Sequence, residues 1–164
     1  MAVGYATMSD IRIRRAHMLD VKAIHGLLMA CARQGLLLPR ALSHLYRHVR
    51  DFYVAEQEGG RMVACCALAP TWENLAEVCS LVVVDDLRRL GLGRRIVQQC
   101  INDCRELRIG KVFALTYQEQ FFTRLGFTVV DKNVLPQKIW ADCVHCPKYP
   151  DCDEYAVVMD VPES

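Results

Sequence analysis

No stretch of this chain is apolar for long enough to cross a bilayer, and its first residues lack the cationic start and long hydrophobic run of a secretory signal. These two absences argue against a spanning or exported protein and predict a soluble, cytoplasmic one. Neither sign of charge dominates, with 20 Lys and Arg against 19 Asp and Glu. There is thus no net basic field to attract nucleic acid or an anionic membrane surface. Internal repeats and low-complexity linkers are also missing, and 164 residues at 52% hydrophobic content suit one globular domain spanning 1–164. Cysteine, by contrast, is plentiful: there are nine, an odd number. Cys31, Cys100 and Cys104 fall on apolar helical stripes, and Cys65, Cys66 and Cys79 fall within expected strands, so they read as small buried hydrophobes in a reducing compartment.

Ile11-Arg12-Ile13-Arg14 alternates as a half-exposed strand does, and Val21, Ile24, Leu27, Leu28 and Cys31 share one face of a helix that Gln34-Gly35 stops. Leu42, Leu45 and Val49 mark a second short helix. Phe52–Ala55 and Met62–Leu68, joined through Glu58-Gly59-Gly60, predict a hairpin. The run Ala76–Val84 predicts a central strand buried on both faces. A helix bearing Ile96, Val97, Cys100, Ile101, Cys104 and Leu107 follows. Next come a strand at Val112–Leu115, a short helix at Gln118–Arg124, a further short helix at Gln137–Asp142 and a last strand at Tyr155–Met159. Leaving aside the short Gln137–Asp142 helix, the order βααβββαβαβ implies an α/β (α+β) protein with a mixed, mostly antiparallel sheet and helices on both faces.

Between the central strand and the third helix lies Arg88-Arg89-Leu90-Gly91-Leu92-Gly93-Arg94. A helix start presents unpaired N–H groups and the positive end of a dipole, and glycines let a phosphate come close. The segment Arg88–Arg95 also holds four arginines in a chain that is otherwise charge-balanced. These features point to a phosphate-bearing ligand, although two glycines at this spacing also occur in purely structural turns.

The element order together with Arg88-x-x-Gly91-x-Gly93 resembles the GNAT N-acetyltransferase family, whose corresponding turn binds the pyrophosphate of acetyl-CoA. Phe121-Phe122-Thr123-Arg124-Leu125-Gly126-Phe127 is similar to the family's aromatic-rich helix ending in Gly-Phe. A narrower resemblance is to the amino-acid N-acetyltransferases of arginine biosynthesis, the N-acetylglutamate synthases and their single-domain relatives. It is carried by Gln34–Arg40, Asp51–Glu56, Ala76–Val83, Leu115-Thr116, and Gly126-Phe127 followed by Leu135-Pro136. The amino-acid-kinase-like domain of the long synthases has no counterpart in these residues, so arginine feedback through it is not expected.

The resemblance implies the GNAT fold, acetyl-CoA as co-substrate, and an amino acid such as glutamate acetylated on its α-amino group by direct attack in a ternary complex. Glu77 stands where the general base is expected, its alternative being a solvated strand-end glutamate. The pantetheine arm is expected along Leu81, Val82 and Val83, where two parallel strands splay. The pyrophosphate is expected on Arg88, Arg89, Gly91, Leu92, Gly93 and Arg94, with Arg88 and Arg94 adding charge or remaining solvated. Phe122 occupies the place of a tyrosine used by many family members and is expected at the cofactor. With that tyrosine absent, Thr116 or its neighbour Tyr117 is the candidate donor to the leaving thiolate. Arg40 and Lys138 are candidates for holding substrate carboxylates, Arg40 equally reading as a surface arginine. A homodimer is compatible with the family resemblance.

Cys143, Cys146 and Cys152 allow three readings: a zinc site completed by His145 or Asp153, a disulfide or redox pair, and a plain structural loop. The adjacency of His145 and Cys146 and the lack of a second Cys-x-x-Cys pair count against zinc. Two alternative functions remain at this stage. One is a GNAT enzyme for another amine, such as a polyamine, a drug or a protein terminus; the other is a non-catalytic metal- or redox-responsive CoA-binding module.

Overall fold

The computed structural model describes residues 10–136 and 152–163. Seven strands, β1 (Ile11–Arg15), β2 (Phe52–Gln57), β3 (Met62–Trp72), β4 (Leu75–Val83), β5 (Lys111–Thr116), β6 (Thr128–Val130) and β7 (Tyr155–Asp160), are hydrogen-bonded in the order β1-β2-β3-β4-β5-β7-β6. The helices are α1 (Val21–Arg33), α2 (Leu42–Arg47), α3 (Leu92–Glu106) and α4 (Glu119–Arg124). The β4–β5 pair is parallel, while β1–β2, β2–β3, β5–β7 and β6–β7 are antiparallel, so the sheet is mixed as expected.

The chain forms two compact units, one comprising residues up to Ala67 with Ser80–Gln99, the other Leu68–Cys79 with Cys100 onward. In the first, α1 buries Val21, Ile24, Leu28 and Cys31, the helical stripe that the sequence predicts. Val54, Val63, Cys65, Leu92, Ile96 and Val97 complete its interior. An ionic cluster joins β1 to the start of α1. Arg14 grips Asp20 through two bonds of 2.7 and 2.9 Å, and its Nε reaches Glu56 at 3.0 Å. The His17 amide donates to the same Asp20 carboxylate at 2.8 Å. Burial alone would raise the Asp20 carboxyl, but the Arg14 fork and the His17 amide outweigh it and hold the group below its ordinary value of 3.8.

A depressed folded value means that this carboxylate adds stability above the unfolded pKa and loses it as pH falls through the folded one. Asp20→Asn is therefore expected to cost about 2 kcal/mol at pH 7. Chemical denaturation across a pH series checks this: the gap between wild type and variant should close as pH drops below the ordinary carboxylate value.

In the second unit Leu75, Phe113, Leu135 and Ala156 form the core, with Leu115, Val130 and Val158 packed against it. Phe122 and Phe127 meet edge to face at 5.1 Å where α4 turns into β6. The Gly110 amide donates to the Asn74 side chain, and a Cβ at Gly110 would stand 2.9 Å from that Asn74 oxygen. A side chain at Gly110 would push the Asn74 amide out of this bond at the start of β5.

Several expectations need correction. The strand β6 is absent from the predicted order because three residues are too few to show a period; its pairing with β7 creates it. Strand β3 runs on to Trp72 and includes Pro70, which lies beyond the last β2 partner, Ala67, so its missing N–H breaks no rung with β2. Strand β4 is not buried on both faces, since Glu77, Cys79, Ser80, Leu81 and Val83 are all half-exposed. Its parallel ladder with β5 has two rungs, Ala76 with Val112 and Glu77 with Phe113. Cys79 accordingly leaves the buried set, whereas Cys31, Cys65, Cys66, Cys100 and Cys104 stay in it, and all seven cysteines among the described residues are free thiols. Helix α3 begins at Leu92, four residues before Ile96, so Gly93 is helical. The expected Gln137–Asp142 helix lies outside the described residues.

Candidate active site

In the first unit, β4 leads without interruption into the glycine turn and α3. Val84 N–H is bonded to Val63 O at 2.9 Å, and a single turn of 3-10 helix, Asp85–Leu87, buries Leu87 beneath the connection. Arg89 at φ 66° and Gly91 at φ 82° are both left-handed, and such alternation curls successive N–H groups toward one point. The first α3 amide to find a helical carbonyl is that of Arg95, on Gly91 O at 3.1 Å. The amides of Leu92, Gly93 and Arg94 therefore have no helix carbonyl to return to, which is the usual construction of an anion cradle.

The charges around the turn are sorted by their partners. Arg88 donates from Nε to Val83 O at 3.2 Å and pairs with Asp85 at 3.0 Å, so it braces the turn locally. Asp86 is held by the two arms of Arg61, each at 3.0 Å, and this guanidinium keeps its carboxyl below the ordinary value. Arg95 reaches back to Ile11 O at 3.4 Å. With both aspartates matched, exposed Arg89 and Arg94 and the helix dipole give the turn a positive character. Leu81 and Val83 are half-exposed and Val82 is buried.

Glu77, Thr116, Tyr117 and Phe122 belong to the second unit. Glu77, third in β4, is half-buried beside Phe113 rather than a solvated strand end. Thr116 ends β5, three residues beyond Phe113 and hence roughly 10 Å along the strand; its Oγ1 accepts the Gln118 amide at 2.9 Å. That bond leaves the hydroxyl proton free to be donated. The Tyr117 hydroxyl donates to Asp153 Oδ1 at 2.7 Å, a partner 36 residues away that sequence spacing had no means of indicating. Phe122 is buried between Phe121 and Phe127.

Arg40 is half-buried in the loop between α1 and α2, in the first unit. Lys138, Cys143, His145 and Cys146 lie outside the described residues. Cys152 and Asp153 are described: the Cys152 carbonyl accepts a bond from Lys132 Nζ at 2.5 Å. No group of three or more potential metal ligands occurs among the described residues.

Residues 48–129, half of the chain and including β4, the turn and α3, match the model of the acetyltransferase (GNAT) domain. The chain belongs to the GNAT acetyltransferases. As a GNAT protein it is an N-acetyltransferase by family. It is 38% identical over 150 residues to an uncharacterised N-acetyltransferase of Chlorobaculum tepidum, covering 92% of this chain and 96% of that one. It is also 36% identical over 130 residues to an amino-acid acetyltransferase of Mycobacterium tuberculosis, covering 78% of this chain and 74% of that protein.

Among solved structures, the N-acetylglutamate synthase of Neisseria gonorrhoeae, complexed with coenzyme A and N-acetyl-glutamate, superimposes with a TM-score of 0.84 at 25% identity. That match covers 93% of this chain and 35% of the synthase, so the GNAT chain spans about a third of that enzyme's length. A Mycobacterium tuberculosis protein in complex with CoA gives a TM-score of 0.81 at 28% identity, with 92% and 99% covered. No described helix is long and apolar enough to cross a membrane.

Proposed function

We propose that residues 1–164 act as one catalytic domain that transfers the acetyl group of acetyl-CoA to the α-amino group of glutamate or a closely similar amino acid, serving the first step of arginine biosynthesis in the cytoplasm. The observation that carries this reading is the strand, left-handed turn and helix from Leu81 to Arg94, set in a chain 36% identical to an amino-acid acetyltransferase. In the reaction an ammonium donates a proton to the Glu77 carboxylate, directly or through one water, and its nitrogen then has a lone pair for the thioester carbonyl. That nitrogen bonds to the thioester carbon, the tetrahedral intermediate gives up the extra proton on nitrogen to solvent and collapses, the C–S bond breaks, and CoA leaves as the thiolate. Thr116 or Tyr117 can supply that thiolate with a proton, a modest contribution because a CoA thiolate is already a good leaving group. The pyrophosphate rests on the amides of Leu92, Gly93 and Arg94, and Arg40 and Lys138 bind substrate carboxylates.

A panel of free amino acids assayed by CoA release tests the reading. Glutamate or a near relative should stimulate release well above background, and no stimulation by any acidic or amide amino acid would sink it. Turnover with polyamines alone would move the enzyme to another amine class. Arg40→Ala is expected to raise the KM for the amino acid by about 10- to 100-fold, with the KM for acetyl-CoA nearly unchanged. An unaltered amino-acid KM in steady-state kinetics would remove Arg40 from the site.

A further inference from the structure

Within β4, Ser80 has φ 55°, a left-handed conformation for a residue other than glycine in the middle of a strand. Such a residue costs on the order of 1–2 kcal/mol and persists only where the surroundings enforce it. A left-handed residue in a strand is also the mark of a bulge, which withdraws a carbonyl and an amide from the ladder, and buried backbone groups without partners are expensive. Cys65 of β3 answers both needs. Its side chain is fully buried, and its thiol lies 3.5 Å from Ser80 O as a donor. The Val82 amide in turn directs its hydrogen at the same sulfur. One thiol thus gives to the carbonyl at the start of the bulge and accepts from the amide two residues on, which a hydrocarbon of that size cannot do.

Burial pushes the Cys65 thiol up to about 12, so the proton it donates stays in place throughout the neutral range. Cys66, next along the strand and equally buried, directs its sulfur instead to Ala67 O at 3.9 Å. The two cysteines share burial and volume but not this contact with the bulge.

We infer that Cys65 is a positioning residue for acetyl transfer: through its paired contacts with Ser80 and Val82 it holds the β4 bulge, and the bulge sets the direction in which the backbone of Leu81–Val83 faces the acetyl-bearing arm of the cofactor. The catalytic half of this inference rests on the proposed function, in which Leu81, Val82 and Val83 receive that arm. The hold on the bulge stands on the Ser80 backbone angle and the Cys65–Ser80 contact. Cys65 forms no bond to substrate and is not consumed.

The test compares Cys65→Ala, Cys65→Val, Cys65→Ser and Cys66→Ala in the full chain, reading steady-state constants together with the Ser80 carbon chemical shifts and amide exchange at Val82. Cys65→Ala should move the Ser80 shifts away from left-handed values, speed Val82 exchange, and lower kcat by about 10-fold or more while the amino-acid KM changes little. Cys65→Val, which fills the volume without the S–H, should do the same and covers the case in which the alanine variant does not fold. Cys65→Ser, a hydroxyl able to give and accept, should recover most of the lost turnover, and Cys66→Ala should leave the Ser80 shifts in place.

Unchanged Ser80 shifts and Val82 exchange in both Cys65→Ala and Cys65→Val would overturn the inference, as would equal losses of turnover from Cys65→Ala and Cys66→Ala. A bulge lost with turnover and acetyl-CoA affinity intact would overturn its catalytic half. Should wild type acetylate no amino acid, the proposed function fails, while the shift and exchange measurements still decide the hold on the bulge.

Discussion

Glu77→Gln is expected to lower kcat by about 10²- to 10⁴-fold, the range a positioned general base contributes, with the dissociation constant for acetyl-CoA nearly unchanged. The size follows from the substrate: at neutral pH an α-amino group is mostly protonated and has no lone pair with which to attack. The glutamine is isosteric and can still accept a hydrogen bond, but it cannot take a proton. The position is suited to the exchange, since Glu77 is half-buried in β4 beside Phe113 and the substitution removes charge without opening a cavity. The loss should also depend on pH in a specific way. Wild-type kcat/KM should fall on the acid side as the base and the amine take up protons, and the variant should lack the limb that belongs to the base. Stopped-time CoA release between pH 6 and 9 measures both, and a variant with wild-type turnover at every pH would remove Glu77 from the role.

The second large effect concerns the turn. Arg94→Glu is expected to weaken CoA binding by about 100-fold while leaving the melting temperature unchanged or slightly raised. The two effects have opposite signs because the position answers to two different partners. Arg94 is exposed in the first turn of α3, so the substitution meets no packing constraint. A carboxylate there complements the positive end of the helix dipole by about 0.3–1 kcal/mol, yet the same carboxylate stands beside the amides of Leu92, Gly93 and Arg94 and repels a pyrophosphate. Arg94→Gln, which removes one charge without reversing it, should weaken binding only a few-fold if backbone donors dominate. Calorimetric titration with CoA and a thermal melt separate the two readouts. Paired losses of stability and affinity would show that the turn had been damaged, and unaltered affinity would show that the cradle is not where the phosphate binds.

The parts of this site that were legible in the sequence are those made by contiguous residues. The apolar run of β4, two glycines and the α3 stripe lie in succession, so strand, turn and helix follow from local periodicity and backbone preference. Length limited the rest of the fold: β6 has three residues and becomes a strand only because β7 offers it a ladder. Apolar composition says what a strand tolerates, not which of its residues are covered, and five residues of β4 are half-exposed. Nothing in Cys79-Ser80-Leu81 indicates a left-handed backbone at Ser80, and the partner that accompanies it, Cys65, lies fifteen residues upstream. In the sequence Arg88 reads equally as a charge for the phosphate or a solvated side chain, and in the structure it is engaged by Val83 O and Asp85. The Asp153 carboxylate on Tyr117 is a long-range contact of the same kind. Sequence periodicity shows which residues share a face, but not which side chain takes up a backbone group left over by an irregularity.

The central claim is that the acetyl group passes from CoA to the α-nitrogen of an acidic amino acid. Incubating the protein with acetyl-CoA carrying a 13C-labelled acetyl group and a mixture of amino acids, then identifying the labelled products by mass spectrometry, tests it most directly. The account predicts label on the α-nitrogen of glutamate or its close analogue, formed in step with CoA release and suppressed in Glu77→Gln. Label found only on other amines, or CoA bound with no acetylated amino acid at all, would contradict it.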